Sequence, residues 1–270
     1  MTTALSPTAP ALLRRPSRLT TNLTFISRSL THTIRTPDAL VMAIMLPVIL
    51  MLLFTLVFGG AIQGDGHYVD YVVPGIILLC AGYGASSVAV DVANDMTNGI
   101  IDRFRTMPLR ASSVITGHVV ASLVRNLVAT GVVIGVAFAV GFRPDASPLE
   151  WVAALGLVAV YILVITYLFA AVGIASGGPE AAQGYGFILM FLPYVSSAFV
   201  GVDTMPAWLR PVAEHQPLTP IIETIRGLLT GGDVAVDGGQ ALLALGWIAL
   251  ILAVAIVWTA LAFRARAGRR

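Results

Sequence analysis

Asn94-Asp95-Met96-Thr97-Asn98-Gly99-Ile100-Ile101-Asp102-Arg103-Phe104-Arg105-Thr106-Met107-Pro108-Leu109-Arg110 is the most charged run between two long apolar stretches. Five of its residues are ionised: Asp95, Asp102, Arg103, Arg105 and Arg110. On either side the chain is nearly uncharged over about a bilayer thickness. The pattern predicts a water-facing loop between two membrane-crossing helices.

Composition agrees. Of 270 residues, 57% are hydrophobic and 11% charged, against roughly 25% charged in a soluble domain. That length accommodates about six spans of ~20 residues with short loops. The expected fold is an all-α integral membrane protein. All 16 basic residues are arginine. Without lysine there is neither a phosphate-binding loop of the Gly-Lys type nor a Schiff-base nucleophile. The single cysteine, Cys80, cannot close an intrachain disulfide. His32, His67, His118 and His215 lack the spacing of a metal site and read as surface or interfacial residues.

Residues 1–18, rich in Thr, Pro, Ala and Arg, have no apolar core of a signal peptide and read as a disordered tail. Over 19–36, Leu19, Leu23, Ile26, Leu30 and Ile34 recur at helical spacing. Arg28 and Arg35 fall on other faces. This predicts an amphipathic helix lying in the membrane interface. Spans are expected at about 39–61, 72–94, 112–141, 151–175, 182–201 and 240–263, followed by a basic tail over 264–270. Arg125 lies ~25 Å along its helix from Phe142 at 1.5 Å per residue. That is close to the opposite interface, where an arginine can snorkel to water. Gly131 and Gly135 form a Gly-x-x-x-Gly pair, read as packing within the subunit.

A second unusual stretch, 206–232, is too broken by Pro211, Pro217 and Pro220 to span. It is also too apolar for a plain loop. Two short helices separated by Gln216–Pro220 are expected, dipping into the interface as an outer hairpin. Trp208 suits that depth. Thr219 is placed to cap the second helix, with Pro220 at its first position. Glu223 and Arg226, three apart, can pair.

Arginine counts set the orientation. With the N-terminus inside, twelve arginines lie in inner segments and three (Arg143, Arg210, Arg226) in outer ones. Both termini and the 94–110 loop are therefore expected in the cytoplasm of a multi-pass plasma-membrane protein.

The spans lack coupling chemistry. Spans one, four, five and six contain no Asp or Glu, and Asp91 is expected near the cytoplasmic interface. A proton-coupled drug antiporter, the first rival reading, wants a carboxylate in the path. A lipid-modifying membrane enzyme, the second, wants clustered acid–base or metal groups. Only Glu214, His215 and Glu223 approach that, and three prolines dictate their geometry. If the chain drives transport, energy must enter through a soluble contact, for which the 94–110 loop is the candidate. Its bland alternative is an anchor that holds lipid phosphate through Arg103, Arg105 and Arg110.

The run from Asp95 to Pro108 resembles the cytoplasmic loop of type-2 ABC transporter permeases, above all the daunorubicin/doxorubicin-resistance branch. The run Gln216-Pro217-Leu218-Thr219-Pro220 through Arg226-Gly227-Leu228-Leu229 resembles that family's segment between spans five and six. The likeness covers essentially the whole chain. It implies a non-enzymatic permease subunit of an exporter for drug-like or lipid-like amphipathic compounds, with no nucleic-acid partner. Gly99–Pro108 would be a coupling helix docking on a separate ATPase, which would hold ATP and Mg. Asp95, Gly99, Asp102, Arg103 and Arg105 would belong to that contact, with Phe104, Met107 and Pro108 on its apolar side. The helix carrying Leu23, Ile26, Arg28, Leu30, Ile34 and Arg35 would be the connecting helix. A second permease copy, most simply a homodimer, would complete the path. The chain departs from the family pattern in having Asn98 and Ile100 around Gly99, where many members carry Glu and Thr.

Overall fold

The structure is a computed structural model and describes residues 37–62, 68–98, 111–231 and 237–267. The expected connecting helix and the Gly99–Pro108 segment lie outside these residues, as does the N-terminal tail.

Every regular element among the described residues is helical. They are α1 (Pro37–Leu52), α2 (Gly59–Ile62), α3 (Tyr68–Thr97), α4 (Ala111–Val140), α5 (Pro148–Ala175), α6 (Pro179–Leu189), α7 (Arg210–His215), α8 (Leu218–Thr230) and α9 (Gly238–Ala267). A π-helical turn, Leu53–Phe58, joins α1 to α2. Five helical stretches are long and apolar enough to cross a membrane: Ala43–Ala61, Tyr68–Thr97, Thr116–Val140, Pro148–Ala175 and Gly238–Ala262.

The stretch expected as a fifth span is not one helix. α6 ends at Leu189 after 11 residues, about 16 Å of rise, roughly half the hydrocarbon thickness. Pro193 is the cause. It has no N–H to return to the Leu189 carbonyl four residues back. The chain tightens instead. Phe191 N donates to Ile188 O at 3.1 Å and Tyr194 N to Phe191 O at 3.0 Å. A 3₁₀ turn over Leu192–Val195 follows.

α3 is the central helix. The most apolar part of its span is 67% buried, against 22% for the Ala43–Ala61 stretch from α1 into α2 and 17% for α9, so the latter two form the apolar periphery. Between helices in lipid, small residues permit the close approach that drives packing. Ala85, Ala89 and Ala93 of α3 repeat every fourth residue and pack with Phe169, Val172 and Ala182. Val88 and Val92, on a neighbouring face, pack with Val119, Ala170 and Ile174. Gly131 and Gly135 do not take part. Among the described residues, a side-chain carbon at either would meet nothing within 4 Å, so the expected packing is not seen there.

Polar side chains close the gaps that helix breakers leave. Pro47 removes the N–H that would reach the Ala43 carbonyl, and Cys80 Sγ of α3 lies 3.7 Å from that oxygen. α5 opens on a capping box. Ser147 N donates to Glu150 Oε2 at 2.6 Å, Glu150 N donates to Ser147 Oγ at 3.4 Å, and Pro148 takes the first turn.

Candidate functional site

A cavity of about 710 Å³ lies inside this bundle, within the range of roughly 300–1,000 Å³ that holds drug-sized ligands. α1 contributes Ala43 and Leu46, and α3 contributes Leu79 through Asp91 along one side. α5 adds Tyr161, Ile165, Leu168 and Phe169. The broken α6 stretch adds Gln183 and a continuous wall from Leu189 to Tyr194. Pro217 and Leu218, at the start of α8, close the end nearest the hairpin. The break after α6 brings Phe191 and Tyr194 to the wall of this space.

Arg125 of α4 lines the cavity's polar side. It does not snorkel out; it is 8% exposed. Its Nη2 donates to Gly84 O at 2.9 Å and to Ser87 Oγ at 2.5 Å. Ser87 in turn donates to Gly84 O at 3.0 Å. Asp91, one turn further along α3, also lines the cavity and acts electrostatically on Arg125. A buried guanidinium needs such acceptors and an opposing charge. Asp91, expected near the cytoplasmic interface, is thus also a cavity-wall residue.

Next to Arg125 a chain of hydroxyls ties α4 to α5. Thr166 donates to Ile162 O at 2.6 Å, which spends its only proton. Ser122 must then donate to Thr166 across 3.3 Å and accept from Asn126 Nδ2 at 3.1 Å. Asn126 Oδ1 is buried without a hydrogen-bond partner among the described residues and lies against Gly84. A side-chain carbon at Gly84 would sit 1.7 Å from it. Only glycine fits there.

Two short helices, α7 and α8, form in the stretch expected as a hairpin, but the details differ from expectation. α8 begins at Leu218 with Pro217 in the cap position and no side-chain cap. Thr219 is not the cap because its Oγ1 donates to Ala213 O at 2.5 Å, binding α7 to α8. Pro220 lies in the first turn, where the helix makes no use of the missing N–H. Trp208 is 76% exposed. The Glu223–Arg226 pair is present at 2.6 Å. Arg226 does more than pair. It is buried, and it donates to Tyr71 O from Nε (3.2 Å) and Nη2 (3.1 Å) and to Ser197 O (2.8 Å). Its guanidinium also lies 3.8 Å over the Tyr71 ring. Tyr68 Oη adds a bond to Phe199 O at 2.7 Å. At Gly75 a side-chain carbon would meet Ala198 at 2.6 Å, so the backbones touch. The hairpin and the 196–201 segment are thus fastened to the first third of α3.

At the opposite end of α3, Asp95 Oδ2 meets His118 Nε2 of α4 at 2.9 Å. The pair clamps the two helices where residues 99–110 connect them. Of the residues expected at an ATPase contact, Asp95 alone is described.

The bundle therefore holds a partly open cavity with aromatic walls between the fastened α7–α8 pair and a clamped pair of loop-bearing helices. The sequence profile of the family described as ABC-2 type transporter matches residues 21–230. The chain belongs to the ABC-2 type transporter family. The match takes in α1 through α8 and so includes the loop and all the cavity lining but Ile251 of α9. Among its ABC-2 relatives is the daunorubicin resistance ABC transporter permease protein DrrB1 of Streptomyces coeruleorubidus. It is 28% identical over 226 residues, covering 80% of this chain and 78% of the relative. Another is a probable doxorubicin resistance ABC transporter permease protein, DrrC, of Mycobacterium tuberculosis. It is 27% identical over 218 residues, covering 77% and 76%. This ABC-2 chain is accordingly a multi-pass membrane protein.

Proposed function

We propose that the chain is the permease subunit of an ATP-driven exporter for drug-like or lipid-like amphipathic compounds. The observation that carries this reading is the cavity of about 710 Å³ set between the hairpin and the clamped α3–α4 base. The names of the drug-resistance relatives support the direction and the substrate class. In this reading residues 99–108 dock on a separate ATPase that holds ATP and Mg. Both termini and the loop face the cytoplasm, and two permease copies assemble with two ATPases. ATP shifts the permease between inward- and outward-open states only through its differential affinity for them. Because Asp95 and His118 join α3 to α4, a push on the loop moves both helices as one lever. α3 then transmits it to the cavity wall and to the hairpin that Arg226 fastens.

The test is co-purification of the full chain with the ATPase encoded beside its gene. Arg103→Glu/Phe104→Ala is expected to lose the ATPase that the wild type retains. Retention by the double variant, or no association with either, overturns the coupling assignment. A second reading, proton-coupled antiport, gains from the placement of Asp91 in the cavity wall. It requires transport that Asp91→Asn abolishes and ATP depletion leaves intact.

A further inference from the structure

We propose that the cavity is a ligand site selective for an amphiphile with a flat apolar body and one anionic group, which Arg125 holds. Three observations carry this. The first is shape and lining. Tyr161, Phe169, Phe187, Phe191 and Tyr194 all face the space. Such rings favour a flat, apolar guest.

The second is the donor inventory. A guanidinium carries five N–H donors and keeps its proton at any working pH. Among the described residues, both hydrogen bonds of Arg125 leave from Nη2, so three donors, on Nε and Nη1, are left there for a ligand. A carboxylate or sulfonate takes two parallel bonds from that edge. The third is polarity. Arg125, Ser87 and Asp91 share one side of the cavity, whereas Pro217 and Leu218 close it with apolar surface. A guest with a single charged end matches that division. Asp91 is already engaged, so the open valence lies on Arg125 rather than on the carboxylate. A cationic guest would have to sit beside the guanidinium to reach Asp91.

The signs follow. Removing the Arg125 charge weakens an anionic guest. Removing the Asp91 charge removes a like charge and strengthens it. Filling the cavity weakens every guest. Gly82 allows the filling variant, because a side-chain carbon there meets only Tyr161 Oη, at 4.0 Å.

The inference rests on the transport reading only in calling the ligand cargo. Binding is measured on the full chain without any ATPase, so failure to bind and failure to recruit an ATPase are separate results. The chain is placed in phosphatidylcholine nanodiscs and titrated with pyrenebutyrate, pyrenebutanol and pyrenemethylamine. Saturable energy transfer from tryptophan to pyrene is read against empty discs. The wild type is expected to bind the butyrate most tightly. Arg125→Gln should weaken the butyrate about tenfold, the worth of a charge-assisted hydrogen bond, and leave the butanol within about twofold. Asp91→Asn should tighten the butyrate, and Gly82→Leu should weaken all three probes. An unchanged butyrate-to-butanol ratio in Arg125→Gln overturns the proposal, as does tighter binding of the amine than of the butyrate. Gly82→Leu without effect places the probe in lipid and also overturns it. Where Arg125→Gln does not fold, Asp91→Asn decides: no gain for the butyrate refutes the assignment.

Discussion

Replacing Arg226 by alanine tests what holds the hairpin to the bundle. The side chain is 7% exposed and Glu223 is 31% exposed. Its bonds to Tyr71 O and Ser197 O, with the cation–π contact over Tyr71, connect α8 to α3 and to the 196–201 segment. Alanine leaves both carbonyls without this donor at the helix junction. Each buried acceptor left unsatisfied costs about 1–3 kcal/mol, and the lost ring contact about 0.5–2 kcal/mol. Shared geometry makes these terms less than additive, so the expected loss is about 3–5 kcal/mol. At roughly 2–4 °C per kcal/mol for a domain of this size, the thermal midpoint in detergent should fall by about 6–20 °C. Glu223→Gln removes the ion pair alone. Because Glu223 is partly solvated, its loss should cost no more than about 1 kcal/mol. Arg226→Lys keeps the charge but lacks the fork that reaches both carbonyls, and should fall between the two. The assay is tryptophan fluorescence against temperature, supported by protease cleavage near the exposed Trp208. Equal shifts for Arg226→Ala and Glu223→Gln would refute the reasoning, since the ion pair rather than the carbonyl bonds would then fasten the hairpin.

Gly84→Ala should destabilise the bundle by about 1–3 kcal/mol through overpacking against Asn126, and Asn126→Ala in the same chain should restore monodisperse material on size exclusion. Asp95→Ala and His118→Ala should show a coupling of about 0.5–2 kcal/mol in a double-mutant thermal cycle. His118→Ala should uncouple ATP hydrolysis from transport without abolishing ATPase recruitment. Cys80, the single and buried thiol, should react with a maleimide only after unfolding. Cys80→Ser, which keeps a donor for Ala43 O, should retain more stability than Cys80→Val.

Much of the architecture could be read without coordinates. Apolar length is a local property, and it located five stretches that the structure makes long membrane-capable helices. The proline-broken 206–232 stretch became two short helices for the same reason: Pro217 and Pro220 constrain their own backbone wherever they sit. Glu223 and Arg226 met because three residues along a helix bring side chains to one face. The loop and hairpin runs also carried the family.

What the sequence could not decide depends on which groups lie opposite each other. Hydropathy counts residues 182–201 as a span, because it ignores the hydrogen bond that Pro193 denies to Leu189. Arg125 reads as a snorkelling side chain until Gly84 O and Ser87 Oγ of another helix are found within its reach. Thr219 has the composition of a cap, yet the Ala213 carbonyl takes its proton first. Asp95 and His118, 23 residues apart, become neighbours only when α3 and α4 fold back on each other. Spans, turns and pairs on one helix follow from covalent neighbours. The partner of a buried charge, the walls of a cavity and the clamp between two helices follow from packing, which brings distant residues within a hydrogen bond's length.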